Sequence, residues 1–339
     1  MKKQPRTWRV HAMGTHFNFQ LRQATPANAR RLVEATEKLL QSMESSWSRF
    51  RDDSELAALN HTGDLAHPST LLRLAVFEAL NAHRLTGGYF DPRVKRALEH
   101  LGYERSFAEV GTGAELPPRA GCSPTRPASD FCAVFDESAG VLSIGPEPID
   151  LGGIGKGLAL RMLSDHLRHS DSGSHLIEAG GDIRTYLDPQ DGEPWFIDIE
   201  NPFSSARLPM LVRVGTGAVA TSSVKVRNWK VGGQTKHHII DPASMDSAET
   251  DLYAVTVVDT DSARAEVYSK WIFLLGKAGG MALCREREIA ALMIGGDGGI
   301  QYSPAWARYM QVQAEASTRA TGCVLSEVSS PLEPLFVSA

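Results

Sequence analysis

The densest glycine cluster of this 339-residue chain is the run DLGGIGKG, from Asp150 to Gly157. A strand-like segment, residues 141–144, precedes it and roughly 15 helix-like residues follow, so the chain must turn sharply from strand to helix. A Walker A loop needs GK followed by Ser or Thr, but Lys156 is followed by Gly157. A Rossmann loop needs GxGxxG after the first strand, but this cluster reads GGxGxG and lies mid-chain. Both common nucleotide-binding interpretations fail.

Two interpretations of the glycine cluster remain open. Backbone amides at the start of a helix, glycines that allow close approach and the adjacent Lys156 favour an anionic ligand such as a diphosphate. The alternative is a structural corner in which the glycines only relieve crowding.

Two further polar clusters occur: one at 177–182 follows a strand-like segment, and one at 237–242 follows a Gly-Gly turn. Neighbouring residues on a strand point to opposite faces, so His237 and His238 are not expected to share one metal ion. We expect one of the two histidines to turn inward beside a ligand.

Composition restricts the classes of function. The formal net charge is −5 and no long block of like charges occurs, which argues against a nucleic-acid partner. Hydrophobic residues make up 42% and charged residues 22%, as in ordinary globular proteins. No segment approaches the roughly 18 apolar residues of a membrane span, and the N-terminus lacks the apolar run of a signal peptide. We therefore expect a cytoplasmic protein without membrane insertion.

The cysteines are scattered along the chain without a CxxC pair: Cys122, Cys132, Cys284 and Cys323. This spacing argues against a structural zinc site and against a disulfide framework. We expect buried free thiols in a reducing compartment.

The hydrophobic patterns predict an α+β protein, because strands and helices do not alternate strictly. Helices are expected at 27–47, from Asp53 or Ser54 to Asn60, at 69–85, after the glycine cluster and at 263–275. Strands are expected at 17–21, 131–135, 141–144, 175–178, 195–199, 211–214, 237–240, 252–258 and 289–294. Residues 104–130 are expected to form an irregular connection, and residues 315–339 a weakly patterned tail.

In chain order, eight segments resemble motifs of the ApbE family, the FAD:protein FMN transferases. Each motif is short, so the resemblance rests on all eight occurring in the family's order across about residues 8–305. The segments are Met13–Thr15, Ser48–Asn60, Thr86–Pro92, Asp150–Gly157, Glu178–Asp182, Ala220–Ser222, His238–Pro242 and Ala265–Gly276.

The resemblance implies an ApbE-like α+β fold with mixed or antiparallel sheets, packed helices and an FAD cleft between two intimately packed lobes of one domain, residues 1–314. It implies that FMN passes from FAD to a Thr or Ser of an acceptor protein with release of AMP, helped by magnesium at the diphosphate. The resemblance implies an acceptor protein but does not show which one. This chain itself has no D/E-x-x-x-G-A-S/T segment: Glu109–Ala114 comes near, but Glu115 stands at the hydroxyl position.

The resemblance also assigns roles to single residues. Phe50 takes the position of an aromatic that stacks on the flavin, a role that suits its flat apolar face. Lys156 is expected to meet the diphosphate. The residues implied to bind FAD are Met13, Phe50, Tyr89, Phe90, Asp91, Asp150, Lys156, Glu178, Thr221, His238 and Lys270.

The chain departs from the family at the metal site. Family members hold magnesium with an Asp and a Thr of one helix and a carbonyl of the glycine-rich loop, here Gly153; in this chain Glu266 and Lys270 replace the two side chains. An ammonium group has no lone pair for a metal. Either Lys270 places its ammonium where magnesium would lie, paired with Glu266 at i,i+4, or it points away and Ser269 or water completes a weaker site with Gly153 and Glu266.

Three functions stay open. The first is an active flavin transferase, with Glu266 as a catalytic residue through the metal. The second is a FAD-binding protein without catalysis, in which Lys270 replaces magnesium. The third is a FAD diphosphate hydrolase, which releases FMN and AMP without an acceptor.

Overall fold

The computed structural model describes residues 5–117, 123–170, 172–204 and 207–312. The helices are α1 (Pro26–Trp47), α2 (Glu55–Thr62), α3 (Thr70–Leu85), α4 (Lys95–His100), α5 (Phe107–Val110), α6 (Gly155–Arg168) and α7 (Ser262–Glu286), with short 3₁₀ turns at Pro92–Val94 and Pro304–Arg308. The strands are β1 (Arg6–Ala12), β2 (Thr15–Leu21), β3 (Asp64–Ala66), β4 (Glu115–Leu116), β5 (Val134–Asp136), β6 (Val141–Ser143), β7 (His175–Ala179), β8 (Asp182–Tyr186), β9 (Trp195–Glu200), β10 (Arg207–Val214), β11 (Gly217–Ser223), β12 (Asn228–Val231), β13 (Gln234–His237), β14 (Ile240–Asp241), β15 (Asp246–Ser247), β16 (Leu252–Asp259), β17 (Ala290–Gly295), β18 (Ile300–Tyr302) and β19 (Met310–Val312).

An eight-stranded sheet organises the fold, in the order β1-β2-β7-β8-β11-β16-β17-β18. Each neighbouring pair in it is antiparallel. Smaller sheets lie beside it in the orders β19-β10-β9, β13-β12-β4, β3-β6-β5 and β14-β15. Since β12 and β4 run parallel, the protein is α+β with mixed and antiparallel sheets, as predicted from the sequence.

Both faces of the large sheet bury apolar side chains. On β16, Val255 and Val257 belong to the apolar cluster that contains residues of α7. The alternate residues Ala254 and Val258 belong to the cluster formed with β9 and β10. Successive strand residues point to opposite faces, so helices cover one face of the sheet and the small β19-β10-β9 sheet covers the other.

The β1–β2 hairpin turns through Met13 and Gly14. Both residues have positive φ angles, 53° and 68°, as in two-residue turns that match the twist of their strands. Glycine adopts this conformation freely, whereas a methionine is strained in it. The Met13 N–H donates to Glu44 Oε1 at 2.9 Å, which holds the tip of the hairpin against α1.

Helices α6 and α7 approach each other at a glycine. A Cβ atom on Gly157 would lie 2.4 Å from the Ser262 carbonyl oxygen and 2.7 Å from Ala263 Cα, so a larger residue would force the two backbones apart. The Ser262 hydroxyl donates to the Gly157 carbonyl oxygen at 2.6 Å. This contact fixes the start of α6 beside the first turns of α7.

The first three predicted helices are confirmed as α1, α2 and α3. The side-chain oxygens of Thr25, Ser54 and Ser69 accept hydrogen bonds from the first turns and cap these helices. The helix predicted at 263–275 is confirmed as the first part of α7. The backbone leaves the helical conformation at Gly276, where φ is 68°, and α7 then continues to Glu286.

Two sequence-based assignments are wrong. The predicted strand at 237–240 is two strands: β13 pairs with β12 and β14 pairs with β15, so the chain changes sheets at His238 and Ile239. The connection predicted to be irregular at 104–130 contains α5 and β4, and β4 gains its order by pairing with β12.

Of the predicted buried thiols, Cys132 is exposed, whereas Cys284 is buried; burial raises the pKa of Cys284 to about 12. Cys122, Cys323 and the predicted tail at 315–339 lie outside the described residues. The division of residues 1–314 into two lobes stays a prediction. None of the helices in the described ranges is long and apolar enough to cross a membrane.

His175 of β7 is a buried histidine between two hydroxyl groups. Its Nε2 lies 2.9 Å from Ser164 Oγ and its Nδ1 lies 3.1 Å from Ser172 Oγ. Burial lowers the pKa of His175 from 6.5 to about 4. Between these two pH values the unfolded chain therefore binds a proton at this residue that the folded protein does not bind.

This difference predicts an acid-sensitive contribution to stability. The contribution is fully present above pH 6.5, and up to about 3 kcal/mol is lost as the pH falls towards the folded-state pKa. His175→Leu removes the titrating group, so its free energy of unfolding in urea should fall less with acid than that of the wild type. Parallel pH curves for the two proteins would contradict this role for His175.

Candidate active site

A cleft of about 380 Å³ opens beside the glycine-rich loop. Its walls come from the tip of the β1–β2 hairpin, the end of α1 with residues 48–51, residues 89–91, residues 150–153, residues 238–240 and the middle of α7. The predicted site residues that line the cleft are Met13, Phe50, Tyr89, Phe90, Asp91, Asp150, Gly153, Lys156, His238 and Lys270.

Phe50 stands at the mouth of the cleft with 40% of its surface exposed. The guanidinium carbon of Arg49 lies 4.1 Å from the centre of the Phe50 ring. Arg49 also forms an ion pair with Asp150 and donates to the Tyr103 carbonyl oxygen at 2.8 Å. Asp150 in turn accepts from the Gly152 N–H at 2.6 Å. Arg49 thus ties the aromatic mouth of the cleft to the glycine-rich loop.

The segment that follows α3 supplies a second wall. Tyr89 is 43% exposed, and its ring centre lies 6.2 Å from that of Trp271. Phe90 is buried. Asp91 accepts from Arg93 Nε at 2.9 Å and from a terminal Arg93 nitrogen at 2.6 Å. Because this pairing engages both carboxylate oxygens, Asp91 shapes the wall and offers no free carboxylate.

Two lysines and two carboxylates form a network beside the glycine-rich loop. Lys156 Nζ contacts the Asp182 carboxylate and lies 2.9 Å from Glu266 Oε1. Lys270 Nζ lies 3.1 Å from the same Oε1. The Gly157 N–H at the start of α6 donates to Glu266 Oε2 at 2.8 Å. Glu266 is only 1% exposed, so its carboxylate is enclosed by hydrogen-bond donors.

The network shifts the pKa of its members. Burial alone would raise the pKa of Glu266, but the ammonium groups of Lys156 and Lys270 outweigh burial and lower that pKa to about 2. Burial alone would lower the pKa of Lys156, but Asp182 and Glu266 raise it above its ordinary value. For Lys270 burial outweighs Glu266, and the pKa falls below its ordinary value. Glu266 and Lys156 are therefore both charged at neutral pH.

His238 lines the cleft, and His237 does not. His238 Nδ1 lies 3.3 Å from the Arg227 carbonyl oxygen; because a carbonyl only accepts, Nδ1 carries the proton and Nε2 the lone pair. Burial and the charges of Arg227 and Lys270 lower the pKa of His238 well below 6.5, so its ring is neutral at pH 7. His237 Nε2 lies instead 3.0 Å from the Ala248 carbonyl oxygen.

The other predicted site residues do not line the cleft: Glu178, Thr221, Glu266 and Ser269. Glu178 accepts from the Gly181 N–H at 2.7 Å, and burial raises its pKa. The Thr221 N–H donates to Asp182 Oδ1 at 3.0 Å, so Thr221 positions a partner of Lys156. Ser269 is fully buried.

Three polar or charged residues of the cleft lining were not among the predicted site residues and bear on its chemistry: Arg49, Tyr103 and Arg227. Arg49 stands between Ser48 and Phe50, inside a segment that resembles a family motif. Its position next to Phe50 in the sequence could therefore have indicated that it lies in the cleft. Tyr103 and Arg227 stand in segments without a motif, and only the tertiary fold brings them to the cleft.

A sequence model described as the ApbE family matches residues 13–293. The chain belongs to the ApbE family. The family resemblance drawn from eight short segments is therefore confirmed. The matched stretch contains both the glycine-rich loop and the part of α7 that lines the cleft.

Two curated relatives have the same name. A protein from Vibrio cholerae named FAD:protein FMN transferase is 29% identical over 289 residues, which are 83% of this chain and 85% of that protein. A protein of the same name from Klebsiella pneumoniae is 29% identical over 290 residues, which are 81% of this chain and 84% of that protein.

Solved structures of the family have the same fold. The ApbE protein from Thermotoga maritima matches with a TM-score of 0.78 at 24% identity, covering 91% of this chain and 100% of that chain. The flavin transferase ApbE from Vibrio cholerae matches with a TM-score of 0.73 at 24% identity, covering 90% of this chain and 99% of that chain. The predicted ApbE-like α+β fold is confirmed.

Proposed function

We propose that this ApbE family member is an enzyme that transfers FMN from FAD to a Ser or Thr hydroxyl of an acceptor protein and releases AMP. Family membership and the shared name of the curated relatives support this reaction. The observation that carries the proposal is the cleft itself, which combines exposed aromatic rings at its mouth with a glycine-rich loop and lysines along its wall.

The flavin ring and the diphosphate of FAD would both find suitable chemistry in this cleft. The flat flavin ring requires an aromatic surface, and the exposed ring of Phe50 supplies one. The negative diphosphate requires backbone amides and cations, and the loop around Gly153 lies beside Lys156 and Lys270. Arg227 adds a further positive charge to the lining.

His238 is suited to act as general base in the transfer. In the proposed step its Nε2 takes the proton of the acceptor hydroxyl, and the oxygen attacks the phosphorus of the FMN half. The bond from this phosphorus to the bridging oxygen breaks, and AMP leaves with the electron pair. The neutral ring and the hydrogen bond that fixes its tautomer support this role.

The test combines the purified protein, FAD and carrier proteins that bear a D-x-x-x-G-A-T segment. We expect a fluorescent flavin that stays on the carrier in a denaturing gel, together with an equal amount of AMP. A carrier in which alanine replaces the threonine is the control and should stay unlabelled. If the protein binds FAD but labels no carrier in the panel, it is not a transferase for this class of acceptor.

A second candidate is a FAD-binding protein without transfer. It is favoured by one observation: Lys270, which cannot ligate a metal, pairs with Glu266 beside the glycine-rich loop. This candidate predicts bound FAD that stays intact during long incubation with carriers. The gel assay and AMP release separate it from the transferase.

Truncation of the aromatic at the cleft mouth tests the flavin position. Phe50→Ala is expected to weaken FAD binding about tenfold, since base–aromatic stacking contributes on the order of 1–3 kcal/mol. The dissociation constant is measured by quenching of flavin fluorescence. Phe203→Ala is a matched control, because Phe203 is also exposed (48%) but does not line the cleft. Equal affinities of the two variants would contradict stacking on Phe50.

A further inference from the structure

The residues that correspond to the family's metal ligands do not form a cation site in this protein. Glu266 Oε1 faces Lys156 and Lys270 at 2.9 and 3.1 Å, and its Oε2 faces the Gly157 N–H. All three neighbours are hydrogen-bond donors, and none offers a lone pair to a metal.

Ser269 does not repair the metal site. Its hydroxyl lies 2.7 Å from Ser222 Oγ and donates to the Glu266 carbonyl oxygen at 2.9 Å. The residue is fully buried and is absent from the cleft lining. A magnesium ion requires a compact octahedron of oxygen ligands, which Ser269 cannot enter from this position.

The side chain of Lys270 lies across the glycine-rich loop. A Cβ atom on Gly153 would lie 3.6 Å from Lys270 Cε and 3.7 Å from Lys270 Cδ. Lys270 Nζ reaches Glu266 Oε1, and the residue still lines the cleft with 18% of its side chain exposed. The ammonium group of Lys270 is therefore held by Glu266 and remains accessible from the cleft.

We infer that Lys270 is a built-in cation that holds the FAD diphosphate in place of a divalent metal ion. The inference rests on the proposed binding of FAD in this cleft. Glu266 is then a positioning residue: it orients the ammonium of Lys270 and does not ligate a metal. An incoming divalent ion would meet two ammonium groups at close range, so the network repels the ion that it replaces.

The first experiment measures FAD affinity of the full-length wild type in EDTA and in millimolar magnesium chloride. We expect the two dissociation constants to agree within about twofold, because ammonium replaces the metal. Calorimetric titration with magnesium alone should show no binding. Affinity that collapses in EDTA and returns with magnesium would overturn the inference and leave the proposed function standing. Absence of FAD binding in both conditions would overturn the proposed function itself.

The second experiment changes the cation. Lys270→Met should weaken FAD binding about 10- to 100-fold in EDTA and in magnesium alike, as expected for a lost charged hydrogen bond. The matched control is Lys277→Met on the same helix, whose ammonium pairs with Asp297 and does not line the cleft; it should bind FAD like the wild type. Equal affinities of the two variants would overturn the role of Lys270.

The third experiment rebuilds a metal site. In the double variant Lys270→Thr with Glu266→Asp, magnesium should strengthen FAD binding at least about tenfold. Calorimetry should detect magnesium in this variant and not in the wild type. A folded double variant that remains indifferent to magnesium would overturn the claim that Lys270 stands in the metal's place. The wild-type titrations test the inference independently if the variant does not fold.

Discussion

His238→Gln is expected to lower the rate of FMN transfer about 1,000-fold, within the range usual for loss of a general base. Glutamine keeps a polar side chain in the cleft but cannot accept a proton at neutral pH. FAD affinity should stay within about threefold of the wild type, because the proposed role concerns the acceptor hydroxyl. The rate is followed by covalent flavin on the carrier, and FAD affinity by fluorescence quenching.

The neighbouring histidine provides the control for this prediction. His237→Gln removes a ring that contacts the Ala248 carbonyl oxygen outside the cleft, so transfer should continue at a rate close to that of the wild type. The wild-type pH profile gives a second check. The pKa of His238 lies well below 6.5, so kcat/KM should hold from neutral pH to below 6.5 before it falls. Equal losses in both glutamine variants would argue against His238 as the base.

Lys156→Met is expected to lower the free energy of unfolding by about 3 kcal/mol, a typical cost of breaking a buried ion pair. The substitution removes the ammonium group that Asp182 contacts. Asp182 is 3% exposed, so its carboxylate would remain buried without its cation. Urea unfolding followed by circular dichroism measures the loss. FAD binding should weaken as well, because Lys156 lines the cleft.

A double variant separates the buried charge from the packing of the lysine chain. Lys156→Met combined with Asp182→Asn removes both charges and should recover part of the lost stability. Lys38→Met on the exposed side of α1 is the surface control, with an expected change within about 0.5 kcal/mol. If the double variant is less stable than Lys156→Met, the orphaned carboxylate is not the cause of the loss.

Local sequence signals predicted the parts of the fold that depend on local chemistry. The cap of α2 was predicted at Asp53 or Ser54, and the structure has it at Ser54, because an N-cap acts over three residues. Among the strands that were missed are β8 and β11, which lie in the middle of the large sheet. β8 directly follows a glycine pair, and β11 consists largely of small residues. Both strands are stabilised by pairing with their neighbours in the sheet and not by local sequence.

In the candidate site, too, contacts between distant parts of the chain could not be predicted from local sequence. Family motifs identified the cleft walls at Phe50, Lys156 and His238, because these residues stand inside recognisable segments. The lysine–carboxylate network could not be predicted in full. The i,i+4 pair of Glu266 and Lys270 follows from helix geometry, but the contact with Lys156 joins residues more than a hundred positions apart.

The close approach of α6 and α7 at Gly157 has a consequence for engineering. The two backbones in contact form a rigid unit, and the side chains at 266 and 270 project from it. These two side chains can be substituted without changing the backbone contact. Ammonium, hydroxyl or carboxylate groups can be installed there while the spacing to the glycine-rich loop stays set by main-chain atoms. This protein therefore offers a scaffold for comparing metal ions and organic cations as partners of the same phosphate group.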